Sequence, residues 1–406
     1  MATNNNNKAP NVPPLRFPEF KGEWEVTSFA NNLEKLENGA TYNTNDTNGV
    51  LMSRIETISS GGIDYSKVGY CSTPDKIIRY KMQYGDILFS HINSIKHIGK
   101  TAYYMAELPL YHGMNLLLLR CNHNIDSKFF FYLINNIRFL RHCQILAKQA
   151  VNQASISISD LKGLTISIPH KDEQVKIQKL LSLIDDRIAT QNKIIEKLQS
   201  LIKGLNDHIL KNIEGDQVCF ADLGEAYGGL SGKSGDDFGC GDPFITYMNV
   251  YQNTYISEND YELVQIAPDE KQNSVQYGDA LFTLSSETPE EVGMGAVYLG
   301  KSQKLYLNSF CFGVHFHGNR VLPQYIAHFI SSTSFRKAIY PLAQGSTRFN
   351  LQKQDFMRMK FVLPSLEEQE RIATALDALH NYLANEKLLT EQYLLLKQFL
   401  LQQMFI

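Results

Sequence analysis

The stretch that decides the fold is Gln83-Tyr84-Gly85-Asp86-Ile87-Leu88-Phe89, because the chain contains it twice. It returns 193 residues later as Gln276-Tyr277-Gly278-Asp279-Ala280-Leu281-Phe282. A segment that recurs at so long a spacing is typical of a tandem duplication of a whole domain.

A second set of matches extends the duplication toward the end of each copy, at a spacing of 195 residues. The matched positions are Asp160, Pro169, Glu173, Gln174 and Ile177 in the first copy and Asp355, Pro364, Glu368, Gln369 and Ile372 in the second. Matches in one fixed register predict two similar domains. Two copies of one domain suit a target that itself has two parts.

Each copy has the same order of local patterns. Roughly 150 residues of short strand-like runs, broken by Gly, Asn, Ser and Asp, come first. A helical stretch follows at 128–145 and again at 323–340, and a last strand-like run at 164–168 or 359–363 ends at a proline. These patterns predict an α+β domain built around antiparallel strands.

Behind each proline the apolar spacing becomes that of a long helix with a coiled-coil heptad. The first helix carries two seams, Leu181, Ile188, Ile195, Ile202, Ile209 and Ile177, Ile184, Leu198, Leu205, with Gln191 as a polar member of the second. The second helix repeats the register through Ile372, Leu376, Leu379 and Leu383, slips at 385–387, and resumes with Leu389, Tyr393, Leu396 and Leu400. Such spacing also fits ordinary core packing. However, two helices placed behind two repeats have little to bury against except each other or a partner's helices, so we expect an antiparallel coiled coil.

These patterns divide the chain into five predicted segments. They are a flexible arm at 1–14, a first domain at 15–170, a central helix at 171–214, a second domain at 215–364 and a C-terminal helix at 365–406.

The composition is that of a globular protein, with 43% hydrophobic and 20% charged residues and a net charge of −3. Residues 1–215 carry 25 Lys and Arg against 20 Asp and Glu, whereas residues 216–406 carry 14 against 22. The six cysteines form no CxxC pair, which favours reduced thiols over disulfides or a zinc site. The chain has no apolar run that could span a bilayer and no signal peptide, so we expect a cytoplasmic protein without a membrane partner.

The sequence carries no convincing catalytic motif. Gly228-Gly229-Leu230-Ser231-Gly232-Lys233-Ser234 approaches a phosphate-binding loop but has Tyr227 where the pattern requires glycine. Asp64-Tyr65-Ser66-Lys67 could belong to a nuclease but fits a turn better, and the histidines lack metal-ligand spacing. We therefore predict a chain that is not itself an enzyme and binds no metal or cofactor.

The order of these features resembles the specificity subunit of type I restriction-modification enzymes. The likeness rests on both Tyr-Gly-Asp motifs, on the Glu-Gln pairs that open the long helices, and on the segment from Pro14 to Phe20 followed by Gly22-Glu23-Trp24. It covers nearly the whole chain.

The resemblance implies a fold and a set of partners. Two target-recognition domains would each read one half of a split double-stranded DNA site, and the helix pair would set the spacing. Two methylation subunits would supply S-adenosylmethionine-dependent adenine methylation, and restriction subunits would add ATP- and Mg2+-dependent translocation and cleavage. The long helices would also form the subunit interface, and we assign this role to Leu181, Ile188, Ile195, Ile202, Leu376 and Leu383.

Candidate DNA-contacting residues are polar side chains in loops, where they could reach a groove. In the first domain they are Asn45, Arg54, His91, Asn93, Lys96, His97, Lys148, Gln149, Asn152 and Gln153. In the second domain they are Lys233, Ser285, Gln344, Ser346, Thr347, Arg348 and Asn350.

Two other functions compete with this interpretation. The repeats could belong to a coiled-coil assembly scaffold that no longer reads DNA, which the acidic second half and the slipped second helix favour slightly. The other competing hypothesis is a stand-alone nuclease or methyltransferase with an unfamiliar motif.

Overall fold

The computed structural model describes residues 10–58, 62–149, 153–256, 261–302 and 304–406, and the chain divides into two compact units. Unit 1 comprises Met1–Gln191 and Leu389–Ile406, and unit 2 comprises Asn192–Leu388. Residues 1–9 of the predicted flexible arm lie outside the described residues. From residue 10 onward the arm is attached to unit 1, because Trp24 N donates to Asn11 O at 2.8 Å and Asn11 Nδ2 donates to Trp24 O at 2.6 Å.

In its described residues, unit 1 combines short strands with three short α-helices and one end of each long helix. Its strands are β1 Glu25–Ser28, β2 Leu33–Asn38, β3 Val50–Met52, β4 Gly69–Cys71, β5 Ile87–Phe89, β6 Ile92–Asn93, β7 Thr101–Tyr103, β8 Leu110–Tyr111, β9 Leu117–Cys121, β10 Lys148–Gln149, β11 Ala154–Ser155 and β12 Thr165–Ile168. Its helices are α1 Ser127–Ile134, α2 Ile137–Leu146, α3 Ile158–Lys162 and the first part of α4 Lys171–Lys211.

Unit 2 has a similar order of elements, with two additional short α-helices, α5 (Phe220–Leu223) and α6 (Tyr247–Gln252). Its strands are β13 Asp216–Cys219, β14 Gly224–Gly228, β15 Phe238–Ile245, β16 Tyr255–Ile256, β17 Glu262–Val264, β18 Ala280–Thr283, β19 Ser285–Ser286, β20 Gly295–Tyr298, β21 Tyr306–Leu307, β22 Cys311–Phe316, β23 Ala343–Gln344, β24 Phe349–Leu351 and β25 Lys360–Leu363. Its helices are α5 Phe220–Leu223, α6 Tyr247–Gln252, α7 Pro323–Ile330, α8 Thr333–Ile339, α9 Lys353–Met357 and the first part of α10 Leu366–Gln403.

The repeated apolar triplets are central strands with both faces buried. The largest sheet of unit 1 has the order β2-β9-β5-β7, and that of unit 2 has the order β14-β22-β18-β20-β16. Alternate side chains of a strand point to opposite faces. Accordingly Ile87 and Phe89 lie in one apolar cluster and Leu88 in another. This two-sided burial explains a continuous apolar run where a half-exposed strand would alternate.

Each predicted helical stretch before the last strand is two helices, which corrects the sequence prediction at 128–145 and 323–340. Asn136 starts α2 by accepting a hydrogen bond from Phe139 N, and Ser332 starts α8 by accepting one from Phe335 N. Asn and Ser are strong N-cap residues because their side chains replace a missing backbone partner. The apolar period continues through both caps and hides the break.

The aspartate of the Tyr-Gly-Asp motif fixes the turn before the central strand. Asp86 is buried, accepts a hydrogen bond from Gln83 N at 2.7 Å, and pairs with Arg120 of β9. In unit 2 Asp279 accepts one from Gln276 N at 2.8 Å, and its partner is His315 of β22. The duplicated motif is therefore a structural support in both units.

The glutamine of the Glu-Gln pair joins the start of a long helix to the rest of its unit. Gln369 Oε1 accepts from Leu322 N at 2.8 Å, and its Nε2 donates to the carbonyl oxygens of Arg320 and Pro364, each at 2.9 Å. Gln174 does the same in unit 1, where Oε1 accepts from Asp126 N and Nε2 donates to Pro169 O. Both amides are buried and use donors and acceptors together, which a carboxylate could not do.

The long helices pair antiparallel, as predicted. Within unit 1 the start of α4 packs with the end of α10, through Leu181 and Leu400 in one apolar core. Within unit 2 the second part of α4 packs with the first part of α10, through Leu198, Ile202 and Leu383. The 41 residues of α4 correspond to about 60 Å of helix at ~1.5 Å per residue.

The predicted slip in α10 is wrong, because the heptad continues without interruption. One seam consists of Leu376, Leu383, Thr390 and Lys397 and continues to Met404 just after the helix. The other consists of Ile372, Leu379, Glu386, Tyr393 and Leu400, and all of these side chains are buried or half-buried. The predicted continuation through Leu389 and Leu396 lies outside the seam, since these side chains are exposed. The apolar pattern predicted the wrong register after residue 385 because polar residues occupy seam positions and leucines lie beside the seam.

Candidate nucleic-acid interface

A small three-stranded sheet brings two of the predicted DNA-contacting stretches of unit 1 together. Its order is β10-β11-β6, so the segment after the Tyr-Gly-Asp motif pairs with the segment that follows α2. Ala154 lies opposite Asn93 and Gln149 opposite Ala154, and Ile156 N donates to His91 O at 2.9 Å. The sequence predicted both stretches separately, and strand pairing joins them in space.

Unit 2 builds the same small sheet, in the order β23-β24-β19. Asn350 lies opposite both Ser285 and Gln344, and the chain turns between β23 and β24 at residues 345–348. We call the turn and its two strands, residues 343–351, the unit 2 hairpin, and residues 148–155 the unit 1 hairpin.

The described candidates on the unit 1 hairpin are all exposed. They are Lys148, Gln149 and Gln153, whereas Asn152 lies outside the described residues. The three exposed side chains can approach another molecule.

The candidates after β5 are less free. Lys96 is exposed, whereas His97 Nδ1 is hydrogen-bonded to Ser94 Oγ at 3.0 Å. The amide of Asn93 donates to Ser90 Oγ and accepts from Ser94 N, so it serves its own turn. His91 is only 6% exposed, and burial lowers its pKa to about 4, which leaves the ring neutral near pH 7.

The unit 2 hairpin presents a denser set of polar side chains. Gln344, Ser346, Thr347, Arg348 and Asn350 are all exposed. Together they offer an amide pair, two hydroxyls and one guanidinium, which are the groups that bind base edges and phosphates.

Two further candidates of unit 2 are not exposed on the surface of the unit. The Lys233 ammonium donates to Glu270 Oε2 at 2.5 Å and to Gln265 O at 2.6 Å, and this contact lowers the pKa of Glu270 to about 2. The Ser285 side chain is buried, and its backbone oxygen accepts from Tyr247 OH at 2.8 Å. Neither side chain lies free on the hairpin surface.

Asn45 and Arg54 belong to a different part of unit 1. Arg54 Nε donates to Tyr42 OH at 3.1 Å and its NH2 group donates to Thr44 O at 3.0 Å, beside strand β3. Asn45 is exposed on the neighbouring loop, and its backbone N donates to Asn43 Oδ1 at 3.2 Å. Within the described ranges, no strand pairing or hydrogen bond connects either residue to the small sheet.

Sequence reasoning missed Phe310, which lies next to the unit 2 hairpin. The Arg348 guanidinium carbon lies 5.6 Å from the centre of its ring, and Phe310 is 53% exposed. The available signal was an aromatic residue directly before a buried strand, but its proximity to the hairpin arises only from strand pairing.

The six predicted interface residues on the long helices lie in the seams. Leu181, Ile202, Leu376 and Leu383 are buried, and Ile188 and Ile195 are half-buried. These positions hold the chain's own helices together within each unit. The exposed large apolar side chains of α10 in unit 1 are instead Leu389, Leu394, Leu395, Leu396 and Phe399.

Over the part of the chain that the structure describes, no group of three or more His, Cys, Asp or Glu side chains could hold a metal ion. In the same residues, no helix is long and apolar enough to cross a membrane.

The sequence is similar to proteins of one family. Residues 22–200 and 233–392 match the family model described as type I restriction modification DNA specificity domain. The chain is 31% identical to a Methanocaldococcus jannaschii protein that carries the name type I restriction enzyme MjaX specificity subunit, over 95% of this chain and 93% of that protein. It is 22% identical to the type I restriction enzyme EcoKI specificity subunit of Escherichia coli, over 81% of this chain and 75% of the relative.

Solved structures share the fold at lower identity. The S subunit of a type I restriction-modification system from M. genitalium aligns with a TM-score of 0.56 and 15% identity, over 97% of this chain and 99% of that one. A chain from a structure of the assembly and conformational transition of a type I system aligns with a TM-score of 0.59 and 14% identity, over the same shares.

Proposed function

Because this chain belongs to the family of type I restriction-modification DNA specificity subunits, we propose that it reads a bipartite DNA site, one unit for each half. The carrying observation is the duplicated hairpin. In each unit, the strand that follows the repeated motif pairs with a hairpin that follows α2 or α8. Both hairpins carry exposed polar side chains. Two equivalent hairpins on one chain suit a DNA target with two parts.

The bases would be read by side chains on the hairpins. Gln149 and Gln153 of unit 1 carry amides, which suit the paired donor and acceptor of adenine. Lys148 and Lys96 are exposed cations that suit phosphates, whose contacts set position without reading sequence. Asn152, Gln344, Ser346, Thr347 and Asn350 remain candidates of the same kind. The internal contacts of Lys233 and Asn93 and the burial of Ser285 and His91 favour structural roles.

The helix pair would set the spacing between the half-sites. Half-sites that face one side of DNA lie about one helical turn, roughly 34 Å, apart, or a multiple of it. The two long helices, of 41 and 38 residues, are long enough to serve as such a spacer in the proposed complex. The spacer length of the target should therefore follow the number of heptads.

Catalysis would belong to partner subunits. In the proposed complex two methylation subunits bind S-adenosylmethionine and methylate adenine, and restriction subunits use ATP and Mg2+ for cleavage, with the complex working in the cytoplasm. Exposed Leu389, Leu395, Leu396 and Phe399 form an apolar surface on α10 of unit 1. Exposed apolar patches mark interaction sites, so we assign partner docking to this surface and not to the seam.

A binding titration tests the proposal. The chain, assembled with its partner subunits, is titrated into labelled duplex DNA at increasing potassium chloride concentrations. DNA reading predicts that a duplex carrying the target outcompetes random duplex. It also predicts a log-log salt slope of about −0.9 for each neutralised phosphate. Absence of any preference between duplexes would contradict it.

The scaffold function makes the opposite prediction, because a scaffold would assemble partner subunits without any affinity of its own for a DNA sequence. One of its two supports is gone, since the heptad of α10 runs without a slip. The acidic balance of residues 216–406 remains, but the exposed side chains of the unit 2 hairpin include no Asp or Glu in the described range 343–351.

A further inference from the structure

The tip of the unit 2 hairpin carries an arginine whose charged group rests on an exposed ring. The guanidinium carbon of Arg348 lies 5.6 Å from the centre of the Phe310 ring. No Asp or Glu in the described part of the chain forms an ion pair with Arg348. The side chain is thus restrained by a ring face, while its N–H donors are not committed to an acid.

The ring is fixed to the hairpin by backbone hydrogen bonds. Leu284 N donates to Phe310 O at 2.8 Å, and Leu351 N donates to Leu284 O at 2.9 Å. These two bonds link the loop before β22, the strand after the Tyr-Gly-Asp motif and the returning strand of the hairpin. The distance between Phe310 and the hairpin is therefore set by the sheet and not by a flexible loop.

The turn itself is tight. Gly345 has a φ of +136°, and a Cβ placed there would lie 2.1 Å from the carbonyl oxygen of Arg348. Only glycine avoids this backbone collision, so the turn holds the Arg348 backbone against residue 345. A side chain mounted on such a turn loses less conformational entropy on binding than one on a loose loop.

This geometry suits one base in particular. A guanidinium offers a planar fork of N–H donors, and guanine presents two acceptors, O6 and N7, at its major-groove edge. We propose that Arg348, positioned by Phe310, reads a guanine in the half-site bound by unit 2. The inference rests on the proposed DNA-reading function and adds the base and the residue pair.

The first unit lacks this pair. The 195-residue offset aligns Arg348 with Gln153 and Phe310 with Asn115. Unit 1 therefore has an amide where unit 2 has the guanidinium, and an asparagine where unit 2 has the ring. The two halves of the target should differ in base composition accordingly.

The first test uses the intact complex in cells. Single-molecule sequencing gives the methylated motif of the parent chain and of Arg348→Ala and Phe310→Ala variants. We expect Arg348→Ala to reduce the preference for one G·C pair about tenfold or more in one half-site, with the other half unchanged. Phe310→Ala should weaken the same preference by a smaller factor. Lys337→Ala, which removes an exposed cation of α8, should leave the motif unchanged.

The second test measures the contact directly, and it does not depend on methylation by the variants. The parent complex is bound to target duplexes in which single guanines are replaced by 7-deazaguanine, which lacks the N7 acceptor. One replacement should weaken parent binding about fivefold or more, and should have no effect on the Arg348→Ala complex.

Three results would overturn the inference. The first is a parent motif that has no G·C pair in the half-site that responds to unit 2 variants. The second is an unchanged guanine preference in the Arg348→Ala variant. The third is binding by the parent complex that does not respond to 7-deazaguanine at any guanine. A parent complex that binds no duplex selectively would instead contradict the proposed function.

Discussion

The Asp86 carboxylate accepts two hydrogen bonds from the Arg120 guanidinium, from Nε and from NH2, each at 2.7 Å. Asp86 is 1% exposed, so the ion pair lies inside unit 1. This contact raises the pKa of Arg120, chiefly through the hydrogen bond to Asp86. In both units the aspartate of the repeated motif is buried and accepts a hydrogen bond from the backbone of its own turn, from Gln83 N or Gln276 N, but only in unit 1 is its side-chain partner an arginine.

Removing one partner should destabilise unit 1 strongly. We expect Arg120→Met to lower the free energy of unfolding by about 3–5 kcal/mol, because the buried carboxylate loses its counter-charge. Chemical denaturation measures the change. Lys35→Met serves as the control, since its 3.7 Å pair with Glu37 is partly exposed to solvent and such pairs contribute less than about 1 kcal/mol. A loss below about 1 kcal/mol in Arg120→Met would contradict the structural role of the motif.

The buried glutamine at the start of α10 gives a second prediction. Gln369→Glu keeps the shape but removes both donors to the Arg320 and Pro364 carbonyls, so we expect a loss of about 2–3 kcal/mol on unfolding. Gln392→Glu, at an exposed position of the same helix, should change stability little. Equal melting temperatures for the two variants would show that the amide is not needed.

A buried histidine should make unit 1 sensitive to acid. His112 is fully buried, and burial lowers its pKa to about 4, from about 6.5 in an unfolded chain. The folded state therefore binds fewer protons than the unfolded state between these values. Its stability is complete above pH 6.5 and falls as the pH drops toward 4, by about 2 kcal/mol at pH 5.

Denaturation of variants at pH 7.5 and pH 5 isolates this contribution. His112→Gln should be less stable than the parent at pH 7.5 but should lose about 2 kcal/mol less between the two pH values. His170→Gln is the control, because its ring is largely exposed. An identical pH dependence in His112→Gln and the parent would refute the assignment.

Shortening the helix pair should change the spacer of the DNA target. Deleting 192–198 from α4 and 383–389 from α10 removes one heptad from each helix. This change shortens the helix pair by ~10 Å, which equals the length of about three base pairs at 3.4 Å per step. We expect the methylated motif to keep both half-sites and lose about three spacer positions. Deleting seven residues from α4 alone is the control and should abolish methylation, because the seams no longer match.

Much of this fold was predictable from the sequence, because duplication and heptad period are local patterns that tertiary context preserves. The α10 register was not, since Thr390 and Lys397 occupy seam positions while leucines lie outside. Lys397 is accommodated there by Asp185, whose Oδ1 lies 2.5 Å from its Nζ. A partner on another helix decided the register, and no single-helix pattern contains that information.

The candidate site was predictable only as segments. The polar stretches after the repeated motif and after α2 or α8 were predicted separately, but strand pairing was needed to join them. Lys233 looked free because its partner Glu270 lies 37 residues away, and Phe310 looked unremarkable because its neighbour Arg348 lies 38 residues away. Contacts of such separation depend on the fold and cannot be read from spacing.

The most direct test of DNA reading by two units is a methylation map of cells with and without the gene, and with variants of one hairpin at a time. The account predicts that deletion removes adenine methylation at one split motif. It predicts further that Gln149→Ala with Gln153→Ala alters one half of that motif, and Arg348→Ala alters the other half. An unchanged map after deletion, or hairpin variants that alter the same half, would contradict it.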